Sequence, residues 1–232
     1  MSAALEQALC ALRDERAAIR ARATPAFDNQ LAAVRTWQSA RIAALHRPVA
    51  ERYDGHALLD FLTHSFYLEA DWSELTARPE RVAKRIGRII SDARPLVIAV
   101  RLQASADTLD AAVSDALLTR ADTTADTTVI TPRAYVSAFR QVGEADLRRQ
   151  QILWVQELVD LLGGYADNRA AYWAFKLASG PARALGMGRT YGLLADGFAA
   201  MRATRDLEGA TRDAVALQQR LLGRLLDEKT NA

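Results

Sequence analysis

The sequence predicts an all-α protein, a compact bundle of about ten helices, and three observations carry that prediction. Apolar residues recur every three to four positions along most of the 232 residues, the spacing that lines one face of a helix. Prolines preceded by Thr or Arg, together with glycine-containing breaks, cut this pattern into helix-length pieces. Half the residues are apolar, enough to fill one sizeable core, and residues 1–232 are read as one domain.

Leu5, Leu9, Leu12, Ala17 and Ile19 predict a first helix from Ala3 to Ala23. Thr24-Pro25 starts a second, with Phe27, Leu31, Val34, Trp37 or Ile42, and Leu45 on its apolar stripe. Arg47-Pro48 is expected to end it, because the residue before proline is pushed out of the α region. Asp54-Gly55 is a turn, and Ala57 to Ala70 is the most aromatic helix, with Phe61, Phe66 and Tyr67. Arg78-Pro79-Glu80 starts a helix with Val82, Ile86, Ile89 and Ile90 on one side, which Pro95 is expected to interrupt. Leu96 to Leu102 is the one stretch with the β-branched content of a strand, yet its neighbourhood favours a short buried helix. Ser105-Ala-Asp107 then opens another helix through Leu109, Val113 and Leu117.

The polar run at 121–131 predicts a flexible loop, and Thr131-Pro132 restarts the helical pattern. A stretch from Glu144 carries Leu147, Ile152, Trp154, Val155, Leu158 and Leu162 and is expected to stop at Gly163-Gly164. Asp167 to Ser179 adds Tyr172, Trp173 and Phe175 before a break at Gly180-Pro181, and Arg189 to Ala203 gives one more helix. The last, Asp206 to Asp227, repeats Leu207, Ala210, Ala214, Leu217, Leu221 and Leu225 at spacings of 3, 4, 3, 4 and 4. Asp54 to Ala70 and Glu144 to Ala203 are expected to supply the central aromatic helices.

Charge and composition exclude several functions. A formal net charge of +2 is too small to draw a protein to phosphate backbones over a distance, which disfavours nucleic acid as a partner. Of the 30 cations only Lys84, Lys176 and Lys229 are lysine, a bias expected from a GC-rich bacterial genome. Cys10 has no partner for a disulfide. Acidic residues arrive early, at Asp14 and Glu15, without a preceding basic and apolar leader, and no apolar run is long enough to span a membrane, so a cytoplasmic location is expected.

No complete catalytic constellation is present, and no catalytic residue, metal or cofactor is assigned. His46, His56 and His64 lack the Glu-x-x-His and His-Glu-x-x-His spacings of helical metal sites. His56, Asp60 and His64, at i, i+4 and i+8, drift only about 40° off one face of a regular α-helix and would present two imidazoles and a carboxylate together. A solvated face explains the same three residues without function. Gly186-Met-Gly188-Arg-Thr-Tyr-Gly192 has the look of a phosphate loop but follows no strand, so it is read as a tight turn into a helix. Arg78, Arg81, Lys84, Arg85 and Arg88 form a basic side on the helix from Pro79, with Arg81, Arg85 and Arg88 the candidate patch for an acidic partner. Trp154, Tyr165, Tyr172, Trp173 and Phe175 are read as core first and as pocket walls second.

At Phe61-Leu-Thr-His-Ser-Phe-Tyr67, followed by Asp71-Trp72 and Arg81, the chain resembles the bacterial proteins named for an FFLEELY motif. Gly186-Met-Gly188, Leu193 and Asp196-Gly197-Phe198 to Arg202 are similar to the tail of that family. The two acidic positions of the motif are His64 and Ser65 here. The resemblance implies a helical fold and a bacterial origin, and no reaction, cofactor or partner.

Two functions are carried forward. The first is a non-enzymatic interaction or accessory module that offers amphipathic helices to a protein partner or to a second copy. The alternative is a binder of, or enzyme acting on, an apolar small molecule held between aromatic helices, with Asp60, His64, Tyr67 and Trp173 as the residues that orient it.

Overall fold

Thr24 and Thr131 act as their place before proline predicts. Each hydroxyl accepts the backbone N–H three residues on, Phe27 and Ala134 respectively, both at 3.2 Å, and so starts a helix with proline in its first turn. The computed structural model describes residues 2–89, 92–120, 129–167, 173, 175–177 and 179–226. Among these the chain forms α1 (Ser2–Ala21), α2 (Pro25–Arg52), α3 (His56–Asp60) with a π-helical continuation (Phe61–Phe66), α4 (Ser73–Thr76), α5 (Pro79–Ile89) and α6 (Arg94–Arg120). α7 (Pro132–Val142), α8 (Ala145–Asp167), α9 (Ser179–Ala184), α10 (Gly188–Ala203) and α11 (Leu207–Leu226) follow. The fold is all-α, with no strand among the described residues. Most of the polar run at 121–131, together with Ile90 and Tyr172, lies outside them.

Several expected boundaries move, and each for a physical reason. Pro48 sits inside α2, which continues to Arg52. Proline removes one helical hydrogen bond, but His46 and Ala50 on either side are buried, and packing holds the last turn in place. Leu96 to Leu102 and the stretch from Ser105 belong to one helix, α6. Pro95 lies in its first turn, where an N–H has no helical acceptor in any case. Ser105 and Asp107 are therefore interior residues: the Ser105 hydroxyl donates to the Leu102 carbonyl at 2.9 Å, and the Asp107 carboxylate binds arginines. Gly163-Gly164 does not stop α8, which runs to Asp167. A Cβ on Gly163 would lie 2.9 Å from Leu207 Cδ2, so this glycine admits the start of α11. Gly180-Pro181 opens α9 instead of breaking the chain.

The centre of the fold is α6, packed by α1, α2, α7 and α8; of the two aromatic segments expected at the centre, 144–203 contributes α8. Small residues decide this. Ala99, Ala111 and Ala116 are buried on α6 and let its neighbours approach closely. One apolar cluster joins Leu5, Leu9 and Leu12 of α1 to Val82 and Ile86 of α5 and Leu96 to Leu102 of α6. A second joins Val34, Val113, Tyr135, Phe139, Ile152 and Leu222. Trp173 and Tyr165 lie at the surface instead, while Phe175 stacks on Tyr191 with ring centroids 4.8 Å apart.

Candidate functional site

Between α2, α3 with its π-helical turn, α6, α7, α8 and α11 lies a half-open cavity of about 320 Å³. Its walls are mainly apolar, with Ile42, Leu58, Leu62, Leu109, Val155 and Leu222 among them. The π turn shapes one wall. Its wider i→i+5 bonding places Leu62, Thr63, Phe66 and Tyr67 on the cavity, and the Thr63 carbonyl takes a hydrogen bond from the Ser39 hydroxyl of α2 at 2.8 Å. Phe61 reaches the other way onto Gly197 of α10, where a Cβ would lie 2.7 Å from its ring.

A polar cluster stands at one end. Gln38 of α2 is its hub: the side-chain amide donates to the Asp110 carboxylate and to the Tyr67 hydroxyl, and its carbonyl oxygen accepts from Tyr135 Oη at 2.6 Å. Tyr67 Oη donates to Asp110 Oδ2 at 2.8 Å. Asp107 pairs with Arg16 and Arg35 at 2.7 Å each, and Arg35 Nε lies 3.5 Å from Asp110. Burial raises the Asp110 carboxyl to about 6 against the pull of Tyr67 and Arg35 in the other direction. The same burial holds Tyr67 well above its ordinary value and Tyr135 up at about 12, so both phenols remain donors.

This raised carboxyl has a stability consequence. The folded protein holds the Asp110 proton more tightly than the unfolded chain, so its contribution to stability is complete below about pH 4 and is lost as pH rises through about 6. Replacing Asp110 with Asn is expected to flatten the dependence of unfolding free energy on pH between 4 and 6. Parallel curves for the two proteins in denaturant titrations at a series of pH values would contradict it.

Two arginines face the same space. The turn Gly143-Glu144, with φ of 68° and 56°, joins α7 to α8. Gly143 takes this backbone at no side-chain cost. The turn folds Arg148, in the first turn of α8, back under α7, where its guanidinium stacks 3.7 Å from the centroid of the Phe139 ring and Nε donates to the Gly143 carbonyl at 3.0 Å. Arg148 is only 7% exposed and Nη2 has no hydrogen-bond partner. Burial lowers its pKa. Arg41 lies 5.8 Å from the centroid of the Tyr135 ring and lines the cavity as well. His46, on the far wall, is buried with its pKa lowered by loss of solvent, and Nδ1 lies 3.0 Å from the Ile42 carbonyl.

Of the residues singled out from the sequence, Tyr67 lies on the cavity. Asp60 and His64 are exposed, and His64 sits 3.2 Å from Glu69 at the surface. The π turn breaks the regular spacing that would have aligned His56, Asp60 and His64, and no group of metal-holding side chains occurs among the described residues. Trp173 is 57% exposed. Arg81, Arg85 and Arg88 are exposed on α5; Arg81 and Arg85 share a small cleft with Glu74, whose carboxylate pairs with α10. There the carboxylate accepts the backbone N–H groups of Arg189 and Thr190, so the helix start after Gly186 that resembles a phosphate loop is filled by the protein itself. Gln38, Arg41, Asp110, Tyr135 and Arg148 come from the structure alone. The signal for part of them lies in α6, where Gln103, Asp107, Asp110 and Ser114 repeat at helical spacing and all four are buried.

No helix among the described residues is long and apolar enough to cross a membrane. No curated protein and no solved structure matches the chain. A family profile described as a domain of unknown function (DUF8198) matches residues 17–232, nearly the whole fold including every residue of the cavity, and the chain belongs to that family.

Proposed function

We propose that this protein binds an apolar small molecule in the interior of its helix bundle, with residues 1–232 acting as one unit. The observation that carries the reading is the cavity itself: about 320 Å³ with mainly apolar walls, and hydrogen-bonding groups gathered at one end. Close-packed cores leave few voids larger than a water molecule, and binding sites combine apolar walls with a few placed polar groups in this way. Tyr67 belongs to the site, and Asp60, His64 and Trp173 stand apart from it. The likeness to the FFLEELY-motif proteins adds no ligand, and the lone Cys10 fits a reducing cytoplasm.

A neutral apolar dye such as Nile red is expected to brighten on binding the wild-type protein and not on binding Ala214→Trp, in which the indole fills the cavity. Circular dichroism and thermal melting confirm that the variant folds. Absence of binding by the wild type, or equal binding by the folded variant, overturns the reading.

The second reading, an interaction or accessory module, draws support from apolar side chains at the surface, above all Leu177 at 77% and Val129 at 70% exposed. It requires a stable complex. Light scattering that gives a monomer at all concentrations, with no retained partner, would count against it.

A further inference from the structure

We infer that the cavity selects an apolar molecule ending in a carboxylate, and that Arg148, assisted by Arg41, holds that head. This rests on the reading of the cavity as a ligand site and goes on to its chemistry. Arg148 is buried, stacked on Phe139 and bonded through Nε to a carbonyl, yet it forms no ion pair with a described carboxylate, and Nη2 is unpartnered. Arg41 likewise has no ion pair among the described residues and rests on the Trp37 and Tyr135 rings. The rings carrying the two guanidiniums, Tyr135 and Phe139, have centroids 5.9 Å apart.

A buried charge without an ion-pair partner is costly, and Arg148, with the half-buried Arg41 beside the same apolar space, is complemented by an anion. Asp110 lines the same cavity and, with Glu144, acts on Arg148 from a distance, but its oxygens accept from Gln38 and Tyr67 and the cation it pairs with is Arg35. A carboxylate head would accept from Arg148 Nη2 in a charge-assisted hydrogen bond. Its apolar tail would lie along Ile42, Leu58, Leu62 and Val155. A quaternary ammonium head would meet two guanidiniums, and a neutral alcohol would leave Arg148 Nη2 without a charged partner.

Three probes with chains of about ten carbons separate these cases: decanoate, decanol and decyltrimethylammonium, titrated by calorimetry below their micelle or solubility limits. Decanoate is expected to bind at least tenfold tighter than decanol and the ammonium probe more weakly than either. Arg148→Met is expected to bring decanoate and decanol within about threefold of each other, with Arg41→Met having a smaller effect in the same direction. Equal binding of decanoate and decanol by the wild type, or preference for the ammonium probe, overturns the carboxylate assignment and leaves the apolar site standing. If none of the three binds, both fall. Should Arg148→Met fail to fold, the wild-type ranking decides.

Discussion

Replacing Asp107 with alanine is expected to cost about 3–5 kcal/mol of stability, the range for removing one partner of a buried ion pair. The carboxylate is 1% exposed and holds Arg16 Nε and Arg35 at 2.7 Å each, with Gln103 Nε2 at 2.9 Å. Without it Arg16 loses its carboxylate partner, Arg35 keeps only the longer contact to Asp110, and Gln103, whose Oε1 already has no partner, loses the one side-chain hydrogen bond it makes among the described residues. Both arginines keep a quarter or more of their side chains in water, which pulls the expected loss toward the low end. Asp107→Asn keeps the volume and one acceptor and should lose less. Chemical denaturation of both variants reads the difference, and a loss below about 1 kcal/mol for the alanine variant would mean that the pairs are solvated in solution. Because Asp107 ties α1 and α2 to α6, the variant should also loosen the polar end of the cavity.

Tyr135→Ala is expected to be as damaging, about 3–5 kcal/mol, as for other aromatic residues deleted from cores. Tyr135 is fully buried, its ring lies 4.1 Å from Trp37, and its hydroxyl donates to Gln38. Tyr135→Phe separates the two contributions. It keeps the ring and leaves the half-buried Gln38 Oε1 without its donor, an expected loss of about 0.5–1.5 kcal/mol. Equal losses for the two variants would show that the hydroxyl and not the ring dominates. Trp37 fluorescence follows both, since the indole packs directly on the altered ring.

The helices were legible because their signals are local. Proline with a preceding Thr, apolar spacing, and the turn at Asp54-Gly55 depend on neighbours a few residues away. The misread positions are those where a distant segment decides. Gly163 reads as a stop until Leu207 packs on it. Pro48 reads as an end until the burial of His46 and Ala50 outweighs one lost hydrogen bond. Of the cavity residues, Tyr67 was within reach of a search for polar groups on an aromatic helix, and Asp110 was available in principle from the buried polar repeat Gln103, Asp107, Asp110, Ser114. Arg148 was not, since nothing near it in sequence distinguishes it from Arg149, which is 59% exposed and pairs with Asp146.

The amino-acid sequence by itself determined that this chain is helical, where most of its helices begin, and that no familiar catalytic or metal-binding spacing is present. Those properties follow from the spacing of side chains along one strand of polymer. The cavity, the partners of Asp107 and Asp110 and the burial of Arg148 with its unpartnered Nη2 were decided only when α2, α6, α7 and α8 came together. A buried charge or void is a relation between residues far apart in the chain, Gln38 and Leu225 among those that line the cavity, and its energy depends on distances that local pattern does not encode.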